Sequence, residues 1–179
     1  MDLTALSAVE LEDSAGVPRR LGSLWTDKPV VLVFLRHFGC LHCRDHAAQL
    51  RDRYAEVRGN GAEVAAIGTG SVRYAQAFVE DDAIPFPVLV DDDGLAARAA
   101  QVRSTSFLGM FHPRTWRATR DSWRRGFRIH RAGKRVTQLG ATFVIGPGPR
   151  LLYSHVDSDS TDHAPLHDIL AAVVPAPGR

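Results

Sequence analysis

The sequence predicts an α/β protein with a central mixed sheet flanked by helices. Short apolar runs bounded by Gly, Pro or Asp alternate with stretches of helical periodicity. The first four runs are apolar almost throughout, which is typical of strands that are buried on both faces. Alternation of this kind favours parallel strands joined by right-handed helical crossovers.

Nine elements and one insertion follow from these patterns. The predicted strands are Val30–Leu35, Glu63–Ile67, Pro87–Val90, Ala141–Ile145 and Leu151–His155. The predicted helices are Leu41–Arg58, Ser71–Glu80, Leu95–Gln101 and Leu166–Val174. The run Gly146-Pro147-Gly148-Pro149 predicts a hairpin turn between the last two strands. Residues 103–135 interrupt the alternation, so we expect a single domain over residues 1–179 with an insertion before its last two strands.

Composition narrows the class of protein. The chain has 179 residues, 22 basic against 20 acidic, 45% hydrophobic residues and two cysteines, which excludes a disordered chain and a disulfide scaffold. No apolar run exceeds six residues, whereas a membrane span needs about 20. The first 20 residues hold four acidic residues and no apolar core, unlike a secretory signal. We therefore expect a cytoplasmic protein with no membrane partner.

The two cysteines stand at C-x-x-C spacing where a predicted strand gives way to a predicted helix. Cys40 falls at the helix N-terminus, and Cys43 lies one turn inside. The helix dipole and unpaired N–H groups at such a position lower a thiol pKa from about 8.5 to roughly 3.5–7.5. We therefore expect Cys40 to be the solvent-accessible nucleophile and Cys43 to be the buried resolving thiol.

Two basic residues are candidates to assist this pair. His42 lies between the cysteines, where its imidazolium would stabilise the Cys40 thiolate; the alternative is an exposed histidine at a turn. Arg36, at the end of the strand, could orient an anionic or peroxidic substrate or stabilise the thiolate. An ion pair with Asp45 is the alternative for Arg36.

The remaining charged neighbours carry weaker predictions. His37 and His46 fit surface or turn positions, and His37 and Arg44 are also candidate substrate contacts. A zinc site built from the cysteines and two of the histidines is disfavoured, because no second ligand pair stands at zinc spacing. We predict no metal and no bound cofactor.

Residues 103–135 carry ten of the 22 basic residues and one of the 20 acidic ones. Within them Trp116 and Arg120 fall on one face of a predicted helix and could bind a carboxylated or phosphorylated substrate or a partner. The alternative is that the aromatic side chains dock on the sheet while the arginines stay solvated. Nucleic-acid binding is disfavoured because no recognisable module is present and the net charge is only +2.

Three blocks of the chain resemble the peroxiredoxin-like branch of the AhpC/TSA family, within the thioredoxin-like superfamily. The first contains the pattern F-x-R-x-x-G-C-x-x-C-R, from Phe34 to Arg44. With the segments that link them, the blocks cover most of residues 8–174. They are Val30–Leu50, Phe86–Val102 and Gly140–His155.

This resemblance implies a thioredoxin-like fold and a thiol oxidoreductase that reduces a peroxide or a disulfide. It places the redox pair on Cys40 and Cys43, and it implies an external thiol reductant such as thioredoxin or glutathione. Some eukaryotic relatives reduce prostaglandin-type endoperoxides, and a homodimer is left open.

The sequence also departs from the family pattern. His37 and Val33 stand where typical members carry a threonine or serine and a proline, and no arginine directly precedes Ala141. These departures keep a second hypothesis open. In it, the protein is a thioredoxin-like binding or redox-sensing module that uses the insertion as its interaction surface.

Overall fold

Seven strands form one sheet in the computed structural model, which describes residues 1–104, 137–159 and 161–174. The strands are β1 Glu10–Asp13, β2 Pro18–Arg20, β3 Val30–Phe34, β4 Glu63–Gly68, β5 Val88–Val90, β6 Ala141–Gly146 and β7 Arg150–Val156. The helices are α1 Leu3–Ala8, α2 Leu41–Asp52, α3 Tyr54–Gly59, α4 Val72–Asp81, α5 Leu95–Ala99 and α6 Leu166–Val173, with a 3-10 helix over Leu21–Trp25.

The strand order across the sheet is β2-β1-β5-β4-β3-β6-β7. β3, β4 and β5 are parallel, and β6 runs antiparallel to β3. At the centre, Leu32 pairs with Ala65 on one side and with Phe143 on the other. The predicted mixed sheet is therefore confirmed, and β3 is an inner strand that lies between β4 and β6.

Alternate residues of β3 belong to two different cores. Val31 and Val33 pack with α2, α4 and α6, whereas Leu32 and Phe34 pack with α1 and α5. All five residues of β3 are buried, which explains its uninterrupted apolar sequence. The strand is thus fixed on both faces, and the chain that leaves it starts from a rigid position.

The predicted elements are present with shifted ends. The predicted helix Leu41–Arg58 is two helices, separated at Arg53, whose φ of −106° and ψ of 6° leave the helical region. The predicted hairpin is confirmed: β6 and β7 are antiparallel, and Gly148 takes a φ of +70° that favours glycine. The predicted insertion of residues 103–135 lies almost entirely outside the described residues.

Four N-terminal elements were not predicted, namely α1, β1, β2 and the 3-10 helix. β1 and β2 have one buried residue between them, Leu11, and β2 is fully exposed at the edge of the sheet. Neither has the apolar run that identified the other strands.

No helix in the described part of the chain is long and apolar enough to cross a membrane.

Candidate redox site

The two cysteines lie just beyond the C-terminal end of β3, an inner strand of the sheet. β3 ends at Phe34, the chain turns, and Cys40 is the N-cap residue of α2 with an extended backbone (φ −74°, ψ 119°). Cys43 follows in the first turn of the helix. The position of both residues is therefore the one that the sequence predicts.

Contacts with the end of β4 hold the turn between β3 and α2. The Leu35 N–H donates to the Ile67 carbonyl at 2.7 Å, and the Thr69 hydroxyl donates to the Arg36 carbonyl at 2.8 Å. The Phe38 ring lies against Gly68 so closely that a Cβ at that glycine would overlap it. The turn is thereby fixed on both sides of Arg36.

The cysteines are reduced and share a hydrogen bond that separates their ionisation. The Cys43 thiol donates to the Cys40 sulfur and lowers the pKa of Cys40 well below its usual value; burial opposes this, and the charge of Arg36 supports it. Burial lowers the pKa of His37, so its neutral form is favoured beside the pair. The same hydrogen bond, together with burial, raises the pKa of Cys43. The Arg36 N–H donates to the Cys43 sulfur at 3.3 Å. Cys40 is thus the thiolate of the pair.

The expected difference in exposure is wrong. Cys40 is 6% exposed and Cys43 is 3% exposed, so both thiols are buried. The sequence predicts that Cys40 lies at a helix N-terminus and so in a favourable electric field. It does not predict which side chains pack over Cys40.

The histidines near the cysteines are also buried. His37, His42 and His46 are 9%, 8% and 4% exposed, which corrects the expectation of surface positions. His37 does lie in the turn between β3 and α2, as predicted. Burial lowers the pKa of His42, more than the Cys40 thiolate raises it, so the neutral ring is the favoured form at pH 7. The hypothesis of a His42 imidazolium is thus disfavoured, and a neutral N–H donor is the form that remains.

Arg44 has protein partners that the sequence did not indicate. Its guanidinium donates to both carboxylate oxygens of Asp82, at 2.7 and 2.8 Å, and approaches Asp81 at 3.5 Å. It also lies over the Phe78 ring, 5.9 Å from the centroid. The Arg44 side chain therefore joins α2 to the C-terminal end of α4. A substrate contact by Arg44 stays a prediction.

A pocket of about 370 Å³ opens beside Gly39, the residue before Cys40. Phe38 and Phe78 give it apolar walls, and Arg73 and Tyr74 of α4 supply polar groups. The sequence offered no signal for Arg73 or Tyr74, because α4 has an ordinary amphipathic pattern. Trp116 and Arg120, the predicted contacts from the insertion, lie outside the described residues.

A second cluster was missed because its members are far apart in the chain. His163 pairs through Nδ1 with Asp157 at 3.1 Å, and its ring stacks on His46 with the centroids 4.9 Å apart. Sequence spacing gives no hint that residue 163 contacts α2. In the described part of the chain, no three His, Cys, Asp or Glu side chains are arranged to bind a metal ion.

A mixed sheet with a dithiol at the N-terminus of the helix after one of its inner strands defines a thiol oxidoreductase of thioredoxin-like fold. The model of the AhpC/TSA family matches residues 4–151. The chain belongs to the AhpC/TSA family and is a peroxiredoxin-like thiol peroxidase or thiol-disulfide oxidoreductase.

Several known proteins are similar to this chain over most of its length. The thioredoxin-like protein AAED1 of Arabidopsis thaliana, a chloroplastic protein, is 29% identical over 94% of this chain and 71% of its own length. The prostamide/prostaglandin F synthase of Salmo salar is 26% identical over 91% of this chain and 83% of its own. The crystal structure of the peroxidoxin BcpB from Mycobacterium tuberculosis superposes with a TM-score of 0.68 at 25% identity, covering 92% of this chain and 90% of the other.

Proposed function

We propose that the protein reduces a peroxide through the Cys40 thiolate and a Cys40–Cys43 disulfide, which an external thiol then reduces. The observation that carries the proposal is the placement of Cys40 as the N-cap of α2 with Cys43 in the first turn, because a helix N-terminus favours a thiolate and the resolving thiol lies one turn away. The lowered pKa of Cys40 and the raised pKa of Cys43 support the same roles. A peroxide substrate and a thiol reductant are the partners that the family implies.

The proposed cycle has three steps. The Cys40 thiolate attacks the terminal oxygen of ROOH; the S–O bond forms, the O–O bond breaks, and the leaving RO⁻ takes a proton to give ROH. Cys43 then attacks the Cys40 sulfenic acid, so that the disulfide forms and water leaves. Finally two external thiols, or one dithiol, reduce the disulfide, are oxidised to a disulfide themselves, and restore both cysteines.

The surroundings of Cys40 supply two further roles. The Arg36 charge favours the thiolate and would attract the developing charge on the leaving oxygen. The pocket beside Gly39 would hold the organic group of an alkyl hydroperoxide, with Phe38 and Phe78 against its apolar part. The prostaglandin synthase among the relatives makes an endoperoxide a second substrate to test. His37 remains a proposed substrate contact, and His42 remains a proposed neighbour of the Cys40 thiolate.

Trapping the intermediate tests this proposal. Cys43→Ser removes the resolving thiol but leaves the nucleophile, so peroxide treatment followed by dimedone should label Cys40 in nearly every chain. Cys40→Ser is the matched control and should not be labelled. A Cys43→Ser protein that stays unlabelled, with its thiol intact, would contradict peroxide reduction by this pair.

The other predictions depend on parts of the chain or properties that the described residues do not address. A binding or redox-sensing module rests on the insertion, and the homodimer, the cytoplasmic location and the absence of a cofactor remain predictions. The chloroplastic relative makes the location the first of these to measure.

A further inference from the structure

A carboxylate–histidine pair lies beside the redox site, with its carboxylate buried and its imidazole 21% exposed. Asp157 follows β7, its side chain is 3% exposed, and its Oδ2 lies 3.1 Å from Nδ1 of His163. Its N–H donates to the Gly140 carbonyl at 3.1 Å, and a Cβ at Gly140 would overlap its carboxylate. The absence of a side chain at Gly140, directly before β6, thus leaves space for the Asp157 carboxylate that pairs with His163.

The His163 ring is packed against the helix that carries both cysteines. It is stacked on His46 with 17° between the ring planes and 4.9 Å between the centroids. His46 is three residues after Cys43 and four after His42, so these side chains lie along one side of α2. The Nε2 of His163 is buried and has no hydrogen-bond partner among the described residues.

The charges around the ring favour a proton on His163. Burial lowers its pKa, but the hydrogen bond and the charge of Asp157, together with the Cys40 thiolate, raise it above the usual value. Burial and the charges of His163 and His155 lower the pKa of His46 to about 3, so His46 stays neutral. The other charged or titratable groups around the cluster are Arg36, His42, His155 and Asp162.

We infer that His163, paired with Asp157, both donates and accepts protons in the redox site. His163 supplies the proton that the leaving oxygen needs. This inference rests on the proposed function and names the group that serves its first two steps. Arg36 cannot take this part, since its guanidinium does not give up a proton in proteins.

The protons balance over the cycle. In the first step the Cys40 thiolate, hydrogen peroxide and protonated His163 give the sulfenic acid, water and neutral His163. In the second step neutral His163 takes the proton of the Cys43 thiol, Cys43 attacks Cys40, and His163 returns that proton to the departing hydroxide as water. When the disulfide is reduced, the proton that Cys40 gains as a thiol passes to His163, which restores the starting pair.

Two reactions of the same thiolate separate this role from a structural one. Peroxide needs a proton on its leaving oxygen, whereas iodoacetamide releases iodide and needs none. In a Cys43→Ser background, His163→Gln should lower the second-order rate constant with hydrogen peroxide by about 100-fold, a typical effect of losing a general acid. The alkylation rate, corrected for the thiolate fraction by absorbance at 240 nm, should change less than about twofold.

Two more variants complete the experiment. His167→Gln makes the same exchange at an 83% exposed side chain in α6 and should leave both rates unchanged. Asp157→Asn keeps the shape of the pair but removes its charge, so it should lower the peroxide rate and move its decline at high pH to a lower pH. If His163→Gln does not fold, as judged by its melting curve, Asp157→Asn decides by the same two rates.

Equal losses in the two corrected rates, or no loss of the peroxide rate, would overturn the inference. A Cys43→Ser protein with wild-type His163 that does not react with peroxide at all would instead show that the proposed function is wrong. The two failures are therefore distinguishable.

Discussion

Cys40 caps α2 and Cys43 lies three residues further on, yet their pKa values shift in opposite directions, with their shared hydrogen bond as the largest cause. The Cys43 thiol is the donor and the Cys40 sulfur is the acceptor, so negative charge gathers on Cys40. The Arg36 charge acts in the same sense. Because both sulfurs are buried, the electrostatic surroundings separate their pKa values and solvent exposure does not.

His46 should make the stability of the protein depend on pH. Its pKa is about 3 in the folded protein against 6.5 in the unfolded chain. Below pH 6.5 His46 therefore binds a proton in the unfolded chain but not in the folded protein, and the free energy of unfolding falls as the pH falls. Between pH 7 and pH 5 this one residue should cost about 2 kcal/mol.

Urea unfolding of wild type and His46→Phe at both pH values measures this cost. Phenylalanine keeps a ring against His163 but cannot titrate, so the variant should lose about 2 kcal/mol less than wild type over the same interval. His167→Gln should behave as wild type, because His167 is exposed. Equal pH dependence in wild type and His46→Phe would show that His46 is readily protonated in the folded state.

At this scale the sequence predicts the position of the two cysteines better than their surroundings. The C-x-x-C spacing after an apolar strand places Cys40 and Cys43 at the start of a helix, as the structure has them, and their roles stay predictions. It does not reveal that Arg44 is bound to Asp82, or that His163 lies against α2. Those contacts form between segments that are 38 and 117 residues apart, and only the folded sheet brings them together.

At the scale of elements, the turn between β3 and α2 depends on the glycine that ends β4. A side chain at Gly68 would overlap the Phe38 ring, which forms the middle of this turn. Gly68→Ala should therefore destabilise the protein by roughly 1–3 kcal/mol, the usual cost of an overpacked core. It should also slow alkylation of Cys40, because the turn that leads to this residue is displaced.

Gly59→Ala is the matched control for that change. Gly59 ends α3, and a Cβ there would meet nothing within 4 Å. The exchange should leave Cys40 alkylation unchanged and should stabilise the fold by up to about 1 kcal/mol. Similar melting temperatures and alkylation rates for the two variants would contradict the role of Gly68.

The bridge from Arg44 to Asp82 joins α2 to α4, and both side chains are buried (6% and 9% exposed). Arg44→Met leaves Asp82 without its partner, so we expect a loss of about 3–5 kcal/mol in urea unfolding. The exposed pair Arg53–Glu56 is the control, and Arg53→Met should cost less than about 1 kcal/mol. Equal costs for the two variants would contradict a structural role for Arg44.

At the scale of the whole molecule, the sequence predicts the inner strands well and the edges poorly. β3, β4 and β6 are buried throughout or almost so. A strand that is buried on both faces needs apolar residues at nearly every position, so its sequence is a continuous apolar run. β1 and β2 are held by pairing with neighbouring strands, and backbone hydrogen bonds leave no pattern of side chains. The predicted insertion stays a prediction, although Ser104 and Gln138, which bracket residues 105–137, pair as an antiparallel bridge.

The central claim is that peroxide oxidises one pair of cysteines within one chain. The most direct measurement is titration of free thiols in the reduced wild-type protein after one equivalent of hydrogen peroxide, with mass spectrometry of the peptides. We expect the loss of both thiols per chain and a single intramolecular Cys40–Cys43 disulfide. Retention of both thiols, or oxidation that leaves Cys43 free, would contradict the claim.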